Sequence, residues 1–221
     1  MVNAIRRDSE APASACVGHV ASDGAWKLDF ASAASALQAT CDSSTRIVVL
    51  ATAFSLVHLL DYLVERDLRF RLPKESRVFE TGGYKGRARS LPQRELYELI
   101  KDRLGVSRSG ILSEYGMSEL SSQAYDSATC AGESRSHRRP SIERYFHFPP
   151  WARTRVVSPE TGEEVGEGES GLLRVCDLAN VFSVMAVQTE DLAVRHGDGF
   201  HLIGRAALAE PRGCSLMSTC S

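Results

Sequence analysis

Ser109-Gly-Ile-Leu-Ser-Glu-Tyr-Gly-Met-Ser-Glu-Leu120 is the stretch on which the reading of this chain turns. Its first half, Ser109–Glu114, holds Ile111 and Leu112 and predicts a strand. Its second half predicts a sharp turn at the C-terminal end of that strand, followed by a short polar helix-like segment. The residue types suit a nucleotide. Tyr115 offers a flat face on which a purine can stack. Gly116 lets the backbone turn and a ligand come close. Ser118 can donate a hydrogen bond to a phosphate oxygen. Glu119 is a hard oxygen ligand of the kind Mg2+ takes when it also bridges a phosphate. The same residues also read as a plain strand-to-helix turn with Ser118 as the N-cap.

Upstream, the pattern alternates strand and helix. Pro92 opens a helix whose buried face is Leu96, Leu99, Ile100 and Leu104, and Gly105 ends it. Arg77-Val-Phe-Glu-Thr81 predicts a short strand running into Gly82-Gly83. Before Pro73, Leu56, Leu59, Leu60 and Leu63 recur at helical spacing behind a capping Ser55. Arg46-Ile-Val-Val-Leu-Ala-Thr-Ala-Phe54 is nearly all apolar and predicts a strand buried on both faces of a parallel sheet. Leu28 to Cys41 is Ala-rich and predicts a further helix. Strand, helix, strand, helix, strand is the signature of an open parallel sheet with flanking helices, so the fold class is α/β. Ligands sit beyond the C-terminal ends of such strands, where both Gly82-Gly83 and Tyr115-Gly116 fall.

Downstream, Ser127–Ser141 is polar and reads as an exposed loop. From Tyr145 the texture becomes β-rich. Strands are expected at Tyr145–Phe148, Thr154–Val157, Gly171–Cys176 and Phe182–Val187, then Leu192–Arg195 and Phe200–Ile203 around the hairpin turn His196-Gly-Asp-Gly199. The expected organisation is a loose arm over 1–24, an α/β adenine-binding part over 25–141, a small β-rich subdomain over 142–210 and a tail over 211–221.

Composition narrows the classes. The chain has 221 residues, 43% of them hydrophobic, enough for a substantial core. A formal charge of −2 gives no reason to expect nucleic acid or an anionic membrane as partner. The apolar runs are too short to span a bilayer, and no secretory signal follows Arg6-Arg7. The six cysteines form no Cys-x-x-Cys pair, so they read as free thiols of a cytoplasmic protein rather than a zinc site.

The motifs come in a particular order: Glu80-Thr-Gly-Gly-Tyr-Lys-Gly-Arg87, Tyr115-Gly-Met-Ser-Glu119, Gln188-Thr-Glu-Asp-Leu192 and Gly204-Arg205. That order resembles the adenylate pocket of the adenylate-forming ligases. Phe79-Glu-Thr-Gly-Gly-Tyr-Lys-Gly-Arg87 and Glu210-Pro-Arg-Gly-Cys-Ser-Leu216 resemble one branch, the LuxE-type acyl-protein synthetases of bacterial bioluminescence, over about 28–216. The resemblance implies that Gly82 and Gly83 pass close to the adenine ring. It implies that Asp191 accepts hydrogen bonds from the ribose hydroxyls, and that Arg205 closes over ribose and α-phosphate. It implies ATP and Mg2+ as cofactors, a carboxylic acid (a long-chain fatty acid in this branch) as substrate, and Cys214 as the thiol that takes the acyl group. Each residue has a plainer reading: a glycine turn, a surface charge, a packed cysteine. The superfamily's Ser/Thr/Gly-rich phosphate loop is not found upstream of Ile47, and the small C-terminal domain with its lysine is absent. The expected partners are therefore a reductase or transferase that takes the acyl group, or a missing N-terminal half. A truncated, non-catalytic adenylate-binding remnant, or the C-terminal half of a split synthetase, stays as the alternative.

Overall fold

The computed structural model describes residues 14–20, 22, 26–82, 91–126 and 144–206. A short hairpin, β1 (Gly18–Val20) and β2 (Trp26–Leu28), precedes the main body. The helix α1 (Phe30–Ser43) starts where Asp29 accepts from the Ser32 amide at 2.9 Å. An acceptor at that position satisfies one of the free amides of the first turn. Then come β3 (Val48–Thr52), α2 (Ala53–Glu65), β4 (Arg77–Thr81), α3 (Gln93–Leu104) and β5 (Ile111–Tyr115). The cap of α2 is Thr52, whose hydroxyl accepts from the Ser55 amide at 3.1 Å. The helix thus begins two residues before the expected Ser55 cap.

β3, β4 and β5 are parallel and adjacent, with Leu50 opposite Phe79 and Phe79 opposite Leu112. Crossovers between parallel strands keep one hand, so two of them stepping in the same direction put both helices on one face. That is where they lie. Leu56, Leu60 and Leu63 of α2 and Leu96, Ile100 and Leu104 of α3 form one core with Val78 and Ile111 of the sheet. Each such side chain contributes roughly 1.5–3 kcal/mol by leaving water.

The α/β class expected from the sequence is what the structure shows, in the form of one nine-stranded mixed sheet. β5 is followed by β6 (Ala124–Asp126), β7 (Phe146–His147), β8 (Ala152–Val157), β9 (Ser170–Asp177), β10 (Ala186–His196) and β11 (Gly199–Arg205). The order β3-β4-β5-β6-β7-β11-β10-β9-β8 makes the β-rich part an antiparallel continuation of the parallel part. A second core, with Phe146, Phe200, Leu173, Val175 and Ala193, lies under it.

Three local expectations differ from the structure. No helix follows Tyr115-Gly116; the chain makes a loop and returns as β6, pairing Glu114 with Tyr125. The strand expected at Phe182–Val187 begins only at Ala186. The apolar run around Val48 is the edge strand of the sheet, and Val48 is 65% exposed. The other residues of β3, Val49–Thr52, are half-buried rather than buried. Among the described residues no helix is long and apolar enough to cross a membrane.

Candidate nucleotide site

Tyr115 at the end of β5, Asp191 in the middle of β10 and Arg205 at the end of β11 meet. The Tyr115 hydroxyl donates to Asp191 Oδ2 at 2.7 Å, and Arg205 Nε lies 3.5 Å from Asp191 Oδ1. Asp191 and Arg205 are directly opposite in the β10–β11 pair. Asp191 reaches this position through an irregularity in β10, whose register with β9 shifts between Gln188 and Leu192. The Thr189 hydroxyl pins the bulge by donating to the Leu173 carbonyl at 2.8 Å and accepting from the Asp191 amide at 3.1 Å. Such a bulge re-aims a side chain that a regular strand would point elsewhere. Arg205 is also held by Glu190, Nη2 to Oε2 at 2.8 Å.

Tyr115 sits differently from the open stacking platform that its residue type suggests. Its ring is 7% exposed and packed by Phe146, Phe148 and Phe200, the last edge-on with centroids 5.3 Å apart. Burial, followed by the charge of Asp191, pushes its hydroxyl well above the ordinary tyrosine range, so it stays a proton donor. Its hydroxyl is engaged by Asp191. That carboxylate keeps 17% of its side chain accessible.

Gly82 and Gly116 lie at the C-terminal ends of β4 and β5. Gly82 has φ +71°, a conformation that favours glycine. Gly116 is closely approached: a Cβ there would stand 2.6 Å from Glu114 Oε1, so the Glu114 side chain would have to shift. Glu114 in turn accepts from the Thr81 hydroxyl, which ties the two strand ends together. Ser118 and Glu119 are exposed on the loop after Gly116, with the Ser118 hydroxyl 3.2 Å from Glu119 Oε2. Gly83 and Cys214 lie outside the described residues.

That loop is anchored by residues that sequence reasoning missed. Asp177, fully buried, accepts from the Ser121 amide at 3.0 Å, the Ser122 amide at 2.7 Å and the Ser122 hydroxyl at 2.8 Å. Burial alone would raise its carboxyl, but these donors outweigh it and hold the group below its ordinary value. Asn180 donates to the Glu119 carbonyl at 2.8 Å. The local signal is legible, because Asp177 also accepts from the Ala179 amide in a turn typical of Asp. Its reach to a loop 55 positions away is not.

On the helix side of the same strands lies a buried polar layer. Ser113 donates to Glu80 Oε2 at 2.8 Å, with Asp126, Arg144 and Glu114 nearby. Burial, opposed by the Ser113 hydroxyl and reinforced by Asp126, raises the Glu80 carboxyl from 4.5 to about 7. The folded chain therefore keeps a proton between those two values that the unfolded chain has released. The contribution is fully present below pH 4.5 and is lost as pH rises through about 7. Wild-type stability is expected to fall by up to about 3 kcal/mol across this window, and Glu80→Gln, always neutral, to flatten the fall. Urea unfolding at several pH values checks it; equal slopes in both proteins would contradict it.

The comparisons with known proteins follow this geometry. A long-chain-fatty-acid–luciferin-component ligase of Aliivibrio fischeri is 24% identical over 201 residues, covering 86% of this chain and 50% of the relative. The ligase of the same name from Vibrio harveyi is 21% identical over 199 residues, covering 86% and 49%. The chain thus spans about half the length of these curated relatives. Among solved structures, ATP-bound MatB from Rhodopseudomonas palustris is similar with TM-score 0.51 at 17% identity, over 81% of this chain and 33% of that one. McyG A-PCP with phenylalanyl-adenylate has TM-score 0.51 at 16% identity, over 80% and 33%. These two share the fold. The family model described as acyl-protein synthetase, LuxE, matches residues 14–219, and the chain belongs to that family.

Proposed function

We propose that this chain carries the adenylate-binding half of an ATP-dependent acyl-protein synthetase, which activates a long-chain fatty acid as its acyl-adenylate and passes the acyl group to a protein thiol. The observation that carries the reading is the meeting of Tyr115, Asp191 and Arg205 at 2.7 and 3.5 Å. Two accepting oxygens suit the vicinal diol of a ribose. A planar, permanently charged fork beside them suits the α-phosphate. When bound, ATP supplies the adenylyl group, and Mg2+ shields the phosphate charge. The chain's own part is positioning and charge neutralisation. Asp191 would hold the ribose, Arg205 would face the α-phosphate, and Gly82, Gly83 and Gly116 would let the backbone approach the base. The Ser118 hydroxyl would face a phosphate oxygen. Among the described residues no cluster of three or more His, Cys, Asp or Glu could hold a metal. A Mg2+ shared with phosphates needs only one or two carboxylates, and exposed Glu119 is the candidate.

The fatty acid is suggested by the names of the bacterial relatives. The chain spans about half their length, so the reading given to it is the adenylate-binding share of that activity. A reductase or transferase that takes the acyl group onward would be a separate partner. The proposed acceptor thiol is Cys214, in the stretch that resembles the family's acylated tail. Supplied with a preformed acyl-adenylate, the chain is expected to acquire a hydroxylamine-labile label that Cys214→Ser abolishes. Labelling that survives in that variant would move the acceptor elsewhere. Glu119→Gln keeps shape and removes charge. It is expected to leave AMP binding within about twofold and to weaken Mg-ATP binding about tenfold, since one charge-assisted contact is lost. Equal loss of both ligands would make Glu119 structural.

A further inference from the structure

β9 supplies none of the residues placed at the nucleotide, yet both ends of the candidate site are fastened to it. Its Leu173 carbonyl takes the Thr189 hydroxyl at 2.8 Å, and that hydroxyl holds the Asp191 amide in the bulge of β10. Four residues on, at the end of the strand, Asp177 holds the loop that carries Ser118 and Glu119. A strand rises about 3.3 Å per residue, so the two fastenings stand roughly 13 Å apart. β9 is paired on both sides, with β8 and with β10, and this makes it a rigid support.

The Asp177 fastening is denser than a surface loop needs. An ordinary turn closes on its own backbone bonds. Here a buried carboxylate takes four donors: the amides of Ser121, Ser122 and Ala179 and the Ser122 hydroxyl, at 2.7–3.0 Å. The Ser122 hydroxyl also accepts from the Trp151 indole at 3.0 Å. Asn180 donates to the Glu119 and Val184 carbonyls, both at 2.8 Å, and accepts from the Ser121 hydroxyl at 3.1 Å. Met117 and Leu120 pack against the second core. The backbone is thus held on both sides of Ser118 and Glu119, while these two residues stay exposed. Fixed backbone under free polar side chains is how a site presents groups to a ligand at a set position. We propose that Asp177 is a positioning residue: acting through the Glu119 loop, it sets where Ser118 and Glu119 stand relative to Asp191, with β9 as the common support. The inference rests on the adenylate reading, because that reading gives Ser118 and Glu119 their phosphate and Mg2+.

The test uses the whole chain and Asp177→Asn, which keeps the shape and turns an accepting oxygen into a donor that faces amides. Calorimetric titration is expected to give AMP binding within about twofold of wild type and Mg-ATP binding about tenfold weaker, the loss expected of Glu119→Gln. A merely structural role would lower both affinities together, through the unfolded fraction. Added to Glu119→Gln, Asp177→Asn is expected to weaken Mg-ATP by less than about twofold more, since a residue that acts through another is not additive with it. Without ligand, amide exchange at Ser121 and Ser122 is expected to quicken in Asp177→Asn. Asn180→Ala, which reaches the loop at the Glu119 carbonyl, is expected to repeat the split between the two nucleotides at smaller size. It carries the test if Asp177→Asn does not fold. Equal losses of AMP and Mg-ATP, Mg-ATP binding unchanged, or full additivity with Glu119→Gln would overturn the assignment and leave the adenylate reading standing. A wild type that binds neither nucleotide would overturn both.

Discussion

Arg144→Met is expected to destabilise the fold by about 3–5 kcal/mol, measured by urea unfolding near pH 7.5. Arg144 is buried and reaches Asp126 twice, Nε to Oδ2 at 2.6 Å and Nη2 to Oδ1 at 2.9 Å. It also donates to the Ile111 carbonyl at 2.5 Å and the Arg108 carbonyl at 3.4 Å, and its guanidinium lies 5.5 Å from the Tyr97 ring centre. Asp126 is fully buried. Burial raises its carboxyl and Arg144 opposes the rise. Removing the cation leaves an uncompensated buried carboxylate, which is the costly half of breaking such a pair. Replacing both partners by apolar residues removes that penalty, so Arg144→Met with Asp126→Leu is expected to recover most of the loss. A single-variant loss under about 1 kcal/mol would mean that water reaches Asp126. The pair ties the chain just before β7 to the end of β6, and Arg144 also holds the Ile111 carbonyl at the start of β5.

Asp191→Ala is expected to weaken AMP binding by at least about a hundredfold. Two charge-assisted hydrogen bonds to a ribose diol are lost, each contributing about 1.5–3 kcal/mol. The variant also strands the Tyr115 hydroxyl, so Tyr115→Phe is the informative partner. It removes the hydroxyl and keeps the ring in its aromatic cluster, while Arg205 still holds Asp191. Its AMP affinity is expected to fall less than about tenfold, the cost of one positioning hydrogen bond. Calorimetric titration of both variants checks the ranking. An affinity loss in Tyr115→Phe equal to that in Asp191→Ala would make the tyrosine hydroxyl the ligand-binding group.

Local chemistry made much of the fold legible. The helical leucines of α2 and α3, Gly105 at the end of α3 and the His196–Gly199 turn are decided by residues close in sequence. What stayed hidden depends on distant partners. Val48–Thr52 has the composition of a doubly buried strand, and only the register shows it to be an edge. The loop after Gly116 looks ready to become a helix, but Asp177 and Asn180 hold Ser121, Ser122 and the Glu119 carbonyl in another shape. In the candidate site, the motifs picked out Asp191 and Arg205. The Tyr115–Asp191 bond spans 76 positions and rests on a bulge that no periodicity reveals. Glu114, Arg144 and the long reach of Asp177 were hidden for the same reason, since buried charges are recognised by what surrounds them.

The most direct measurement is the melting temperature of the wild-type chain against AMP concentration, beside Asp191→Ala. A ligand that binds only the folded state stabilises it by mass action, by about 2.7 kcal/mol at a hundredfold excess over Kd. The account predicts a saturable rise for the wild type and none for the variant at the same concentrations, with both proteins folded at the start. A wild-type melting temperature that ignores AMP, or an equal rise in Asp191→Ala, would contradict it.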